Sequence, residues 1–228
     1  MRTLAIGDIH GCLQALKALF DFIQPSKEDT IITLGDYIDR GPNSKGVLDL
    51  LKKLKQTHNV ISLKGNHEAL LEDARNSTAD YHSWFVNGGA STLYSFRTKR
   101  LQGIASSYWQ FIENCKLYHE TDTHIFVHAG LNPKIPLEEQ EEETLLWQRF
   151  RNSQPHISGK TMICGHTPQE NGKPLVLDHA ICIDTLPFDN GWLTCLDIDS
   201  NTFWQANQKG HIRKLSIEDL IMSQQHGV

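Results

Sequence analysis

The chain has 228 residues, 39% of them hydrophobic and 21% charged, with a formal net charge of −5. That length and apolar content suit a single domain with a real core, expected over residues 1–228. The acidic balance, with no basic block longer than Arg97–Arg100, gives no electrostatic reason to expect nucleic acid or an anionic membrane as partner.

Five cysteines, Cys12, Cys115, Cys164, Cys182 and Cys195, form no CxxC pair. They argue against a disulfide scaffold or a thiolate zinc site and for a reducing compartment. The opening MRTLAIGDIHG turns polar too soon for the apolar region of a signal peptide. No apolar run approaches the length of a membrane span. The expected location is the cytoplasm.

Taken in chain order, a β-like run Thr3–Ile6 ends in GDIHG, with Asp8 and His10. A helix-period segment over 12–23 then places Leu13, Leu16, Leu19, Phe20 and Ile23 on one stripe. The run 30–34 drives into GDYIDRG, with Asp36, Asp39 and Arg40, and Gly41-Pro42 turns the chain. A second amphipathic helix is predicted over 44–58, with Ser44 as its N-cap. The run 60–63 leads into GNHE, Asn66 to Glu68, where Glu68 suits a first helical turn. Strand, helix, strand, helix, strand over about the first 70 residues implies parallel pairing with crossover helices.

Residues 73–120 are rich in aromatics and contain a predicted helix near 105–115. They read either as a helical, cap-like insertion over a cleft or as ordinary helical packing. Beyond them, the run 124–127 ends in HAG with His128, and 161–164 ends in GHT with His166. From His179 onward, strands at 180–183, 193–198 and 202–206 are separated by the turn signals DNG, 189–191, and DSN, 199–201. These predict antiparallel hairpins. The fold class is α/β, a layered architecture with a β meander after the α/β part.

Five predicted strands therefore run into short polar turns bearing Asp, Asn or His, each with a nearby glycine. A single such ending is a common turn or cap. Five in succession point to one sheet edge, because the carboxyl ends of parallel strands gather there and ligands bind there. Asp8 and His10, two residues apart, would point the same way in an extended segment, whereas the adjacent Asn66 and His67 would face different sides. Oxygen donors from Asp8, Asp36 and Asn66 mix with imidazoles of His10, His128 and His166. That set suits manganese, iron or zinc rather than an all-oxygen magnesium or calcium site. Six ligands exceed what one ion with an open position can use, so two ions sharing a carboxylate are expected.

Together GDIHG, GDYIDRGPNS, GNHE, HAG and GHT resemble the signature of the phosphoprotein phosphatase family of metallophosphoesterases, in its compact bacterial and phage form. The resemblance runs from Asp8 to His166. It implies a calcineurin-like metallophosphoesterase fold, a mixed two-sheet β-sandwich flanked by helices, with a dinuclear metal centre. By motif position Asp8, His10 and Asp36 would hold one metal, and Asp36, Asn66, His128 and His166 the other. Manganese is the first expectation, with iron or zinc as alternatives. His67 would be the general acid, with Asp39 orienting it. Arg40 and Arg149, with Arg151 as the fallback, would grip phosphate, and Asn66 would also face substrate. A metal-bridging hydroxide would attack phosphorus in line.

The implied activity is metal-dependent phosphomonoester hydrolysis, on phosphoserine or phosphothreonine in proteins or peptides. The alternatives are hydrolysis of nucleotides such as diadenosine tetraphosphate, and a non-catalytic scaffold binding phosphoproteins. No ligand or acid of the motif set is lost, which disfavours the scaffold. Leu186 and Pro187 stand where bacterial relatives tend to have glycine and a small residue, so the substrate rim departs from the pattern there.

Overall fold

The computed structural model describes residues 1–151 and 153–225; Asn152 and the last three residues of the expected 1–228 domain lie outside them. The elements follow in order as β1 (Thr3–Ile6), α1 (Leu13–Ile23), β2 (Thr30–Thr33), α2 (Ser44–Leu54), β3 (Asn59–Ser62) and α3 (Asn66–Asp73). Next come α4 (Thr78–Trp84), a π-helical turn at Phe85–Gly89, α5 (Ala90–Ser95), α6 (Ser106–Glu113), β4 (Tyr118–Glu120), β5 (His124–Val127) and α7 (Glu142–Trp147). The remainder is β6 (Thr161–Cys164), β7 (Leu175–Leu177), β8 (Ala180–Cys182), β9 (Leu193–Asp197), β10 (Thr202–Ala206), β11 (Ile212–Ser216) and α8 (Ile217–Gln225).

The strands form a six-stranded sheet, β11-β10-β9-β1-β2-β3, and a five-stranded sheet, β4-β5-β6-β8-β7. In the first, β1, β2 and β3 run parallel, in register from Thr3 opposite Thr30 to Thr33 opposite Ser62. In the second, β5, β6 and β8 run parallel. Alternation of side chains along each strand decides which layer each residue joins. Ala5, Ile32, Leu196 and Phe203 of the first sheet meet Phe126, Ile163 and Ile181 of the second in a buried core between the sheets. On the opposite face of the first sheet, Leu4, Ile6, Ile31 and Cys195 pack against Leu16, Leu19, Val47 and Leu51 of α1 and α2. On the outer face of the second, Ile125, Val127, Met162 and Cys164 pack with Leu145 of α7. The α/β layered sandwich expected from the sequence is the observed fold.

Four local expectations are corrected. The parallel strands that end in motifs belong to two sheets, not to the edge of one open sheet. The DNG segment at 189–191 does not close a hairpin, because it carries the chain from β8 in one sheet to β9 in the other; β9 and β10 do form one. Asn43, not Ser44, caps α2, its Oδ1 accepting the Gly46 N–H at 2.9 Å. Ser44 is instead buried as the first helical residue, where its hydroxyl accepts the Asp39 N–H at 3.1 Å. Finally, β4, β7 and β11 were not anticipated, and all three are sheet edges. Edge strands tolerate charge and proline, which erases the alternation that marks a strand; β11 carries Arg213 and Lys214, and Pro174 precedes β7.

The segment 73–120 is built into the same core. Trp84, Leu93, Leu101, Ile104, Phe111 and Ile112 are buried with the residues of α1 and α2. All five cysteines are free and buried. Among the described residues no helix is long and apolar enough to cross a membrane.

Candidate active site

The five motif turns meet where the carboxyl ends of β1, β2 and β3 face those of β5 and β6. Tight geometry is built into them. His10, Asp36, Asp39, Arg40 and His166 all adopt left-handed backbone, with φ of 44, 50, 69, 64 and 60°. So many non-glycine residues in this region signal a site held by its surroundings. His10 is therefore not on an extended segment, and the alternation argument for pairing it with Asp8 does not hold. Two glycines are required by close approach rather than by conformation. A Cβ on Gly65 would run into the Asp36 carboxylate, and one on Gly165 into that of Asp8.

Asp8, His10, Asp36, Asn66, His67, His128 and His166 are all buried. Asp36 lies at their centre. Its Oδ2 is 3.3 Å from His10 Nε2 and 4.0 Å from His67 Nε2, and its Oδ1 is 3.6 Å from His128 Nε2. Two groups of potential ligands share it: His10, Asp36 and His67, and Asp8, Asp36 and His128, each within 4.8 Å. Asn66 Oδ1 bridges the second group to His166, lying 2.9 Å from both His128 Nε2 and His166 Nδ1. Asp8 accepts the His166 N–H at 3.1 and 3.2 Å.

The imidazoles are oriented by backbone carbonyls. His10 Nδ1 donates to Ile38 O at 2.9 Å, His128 Nδ1 to Leu34 O at 2.8 Å, and His166 Nε2 to Trp147 O at 3.2 Å. Each ring thus turns its other nitrogen inward as an acceptor, the outer-sphere pattern of metal-binding histidine, and that of His10 meets an Arg40 guanidinium nitrogen at 3.0 Å. Around Asn66 Oδ1 the result is acceptor facing acceptor while the rings are neutral, an arrangement that a cation between them satisfies. Burial pushes His10 and His166 down to about 3 and lowers His128 as well, keeping all three neutral. Burial works against the Asp36 carboxylate, while protonation of His128, His67 or His10 would favour it and the His67 backbone N–H donates to its Oδ1 at 3.0 Å, so that it lies below the usual range. Burial, then Asp184 and Asp36, push Asp8 well up, as expected where carboxylates crowd without a countercharge. The donor set fits divalent cations.

His67 lies within reach of the His10–Asp36 pair but, unlike the other three histidines, is oriented by a carboxylate. Its Nδ1 lies 2.8 Å from Asp39 Oδ2, which turns Nε2 toward Asp36. Burial disfavours its charged form, yet Asp36 and the hydrogen-bonded Asp39 more than offset this and raise it above an ordinary histidine. Arg40 is exposed, with one guanidinium nitrogen 3.0 Å from His10 Nε2. Arg149 lies two residues beyond α7, its guanidinium donating to His166 O at 2.7 Å. Arg151 is exposed, and its backbone N–H bonds to Arg149 O. Of the two arginines, Arg149 is the one that bonds a site residue.

Glu68 takes the expected first-turn position in α3, and it and several other residues have roles that the motifs alone do not indicate. Glu68 is fully buried and accepts N–H groups of Gly65, Asp36 and Tyr37 at 3.0, 2.8 and 2.9 Å, tying the second and third motif turns together. Burial, then Asp36, push its carboxyl up to about 8 against those donors. Trp84 and Thr92 both donate to Asp39. Asp184, buried at the end of β8, is pushed up to about 6 by burial. It repeats the strand-end pattern of the other motifs without their neighbouring glycine. Phe188 lies edge-on to His10 at 5.0 Å.

Comparison with known proteins bears on the family and the fold. Residues 1–191 match the family model for calcineurin-like phosphoesterases. The chain is 33% identical over 174 residues to serine/threonine-protein phosphatase 1 of Salmonella typhimurium, spanning 72% of this chain and 77% of that protein. It is 29% identical over 163 residues to a symmetrical bis(5'-nucleosyl)-tetraphosphatase of Nitrosospira multiformis, spanning 68% of this chain but only 54% of that one. Among solved structures, a protein serine/threonine phosphatase from Saccharomyces cerevisiae superposes with a TM-score of 0.66 at 17% identity, over 95% of this chain and 80% of that one. At that identity the likeness concerns the fold.

Proposed function

The chain belongs to the calcineurin-like phosphoesterase family, whose members use a dinuclear metal centre, and on that premise we propose that it is a serine/threonine protein phosphatase. The observation that carries this reading is the His67–Asp39 pair set beside the Asp36 cluster. A ligand cluster alone would bind phosphate, whereas an oriented imidazole with Nε2 facing that cluster can also protonate a departing alkoxide.

Asp8, His10, Asp36, Asn66, His128 and His166 would hold two divalent ions, with Asp36 shared and manganese preferred over iron or zinc. Bound there, the ions supply a nucleophile from acidified water and neutralise charge on phosphoryl oxygens. The chain's own residues do the rest. Arg40 and Arg149 would clamp phosphoryl oxygens as planar donors, joined by the Asn66 amide. His67 Nε2 would give its proton to the leaving oxygen of a seryl or threonyl side chain, while Asp39 accepts from Nδ1–H and stabilises the charged ring. Trp84 and Thr92 bring the 73–120 segment into this role, as a buttress behind Asp39. Five free thiols support a reducing compartment, the cytoplasm.

Hydrolysis of dinucleoside polyphosphates is the second reading, favoured by the similarity to the Nitrosospira enzyme. A side-by-side assay with manganese decides. Phosphoserine and phosphothreonine peptides are expected to turn over faster than diadenosine tetraphosphate, and a chelator to abolish both activities until manganese is restored. Faster turnover of the dinucleotide would overturn the protein-phosphatase reading, and chelator-resistant turnover would overturn the metal reading.

A further inference from the structure

The loop after β8 carries an aromatic ring into the site. Asp184 Oδ1 accepts the Leu186 N–H at 3.1 Å, and Leu186 O accepts the N–H groups of Asp189 and Gly191 at 3.2 and 3.0 Å. Leu186 is left-handed, with φ 55°. A bulky side chain in that region is costly, so the turn is fixed by its surroundings rather than by local preference. What the turn delivers is Phe188. The half-buried ring stands edge-on to His10, centroids 5.0 Å apart at 85°, and offers its face to Arg40, whose Cζ lies 5.0 Å from the centroid.

Arg40 is otherwise loosely held. Among the described residues its guanidinium has no carboxylate partner. One nitrogen reaches His10 Nε2, and the backbone N–H bonds Gly88 O at 3.3 Å. A long, exposed arginine loses rotamer freedom when it grips a ligand. A ring beside its guanidinium removes part of that loss beforehand, and the cation–π attraction uses none of its N–H donors.

We propose that Phe188 is a positioning residue for Arg40, setting phosphate affinity by holding the guanidinium toward the ligand cluster. The inference rests on the reading of Arg40 as a phosphate-binding residue. Phe188→Leu keeps apolar bulk and removes the π face, whereas Phe188→Tyr keeps both. With the manganese-loaded protein, Phe188→Leu should raise KM for a phosphopeptide and Ki for inorganic phosphate about three- to fivefold. It should change kcat less than about twofold, with metal content and melting temperature near wild type. Phe188→Tyr should restore both constants. In an Arg40→Ala background, Phe188→Leu should add nothing further. An undiminished effect in that background, or a loss confined to kcat or metal content, would overturn the proposal and assign the ring to packing against His10. If Arg40→Ala alone leaves KM and Ki unchanged, the phosphate role of Arg40 fails and this inference fails with it.

Discussion

Asp39 holds His67 with a carboxylate that two further side chains hold in turn. One carboxylate oxygen takes His67 Nδ1 at 2.8 Å and the Trp84 indole N–H at 3.0 Å, and the other takes the Thr92 hydroxyl at 2.6 Å. The imidazole is thus fixed by a carboxylate that is itself fixed.

Replacing Asp39 with asparagine keeps the shape and removes the charge that stabilises a protonated His67. On an alkyl phosphate, kcat is expected to fall about 10- to 100-fold, a share of the 10²–10⁴ that a placed acid contributes. On p-nitrophenyl phosphate, whose leaving group needs little protonation, the fall should stay below about threefold. Steady-state kinetics on the two esters measure the ratio, and equal losses would remove His67 from the acid's role.

Trp84→Phe deletes one donor to a buried carboxylate. Trp84 is itself fully buried, so the variant should lose about 1.5–3 kcal/mol in urea unfolding. It should also show a milder form of the Asp39→Asn leaving-group asymmetry. Lost stability with unaltered kinetics on both esters would confine the 73–120 segment to a structural role.

Asp8, Asp36 and Asp184 form a crowded set of buried carboxylates, and Asp8 is pushed up by burial, then by Asp184 and Asp36. Cations that bind only the folded protein should stabilise it, by about 2.7 kcal/mol at a hundred times the dissociation constant. Thermal melting in chelator and in graded manganese reads this directly. Asp184→Asn, which retains the oxygen that accepts the Leu186 N–H, should raise the melting temperature in chelator. A metal-independent melting curve would contradict the assignment of the cluster.

Far from the site, Asp29 accepts from the Arg2 guanidinium at 2.8 and 3.1 Å, the Arg2 N–H at 2.7 Å and the Ser26 N–H at 2.9 Å. Burial opposes its ionisation, but these partners hold it well below the usual carboxylate range. A depressed carboxyl adds stability above its unfolded pKa of about 3.9 and loses it as pH falls toward the folded value. Asp29→Asn should therefore cost about 1.5–3 kcal/mol at pH 7. The gap from wild type should shrink in urea titrations below about pH 4, and a constant gap would assign the effect to packing alone.

The sequence made the motif-bearing strand ends legible because a local pattern, an apolar run ending in a ligand-type residue with a glycine just before it or, at His128, shortly after, repeats in Asp8, Asp36, Asn66, His128 and His166. The two faces of β1, Leu4 and Ile6 against the helices and Ala5 between the sheets, come from the structure. What the sequence hid depends on tertiary context. Edge strands carry no clean period, and nothing local marks Trp84 or Thr92 as partners of Asp39, 45 and 53 residues away. The left-handed backbone of His10 likewise defeats an argument from extended spacing. Asp184 was readable in principle, as a sixth strand end, but its neighbour is Thr185 rather than glycine.

The cluster straddles the two sheets. Asp8, Asp36 and Asn66 follow strands of one, and His128 and His166 follow strands of the other, with up to 158 residues between bonded partners. A cation there would cross-link the sandwich as a reversible staple, closing long loops with no covalent bond. Amide hydrogens of β2 and β5 should then slow together on metal loading, making hydrogen exchange across both sheets a gauge of occupancy that needs no substrate.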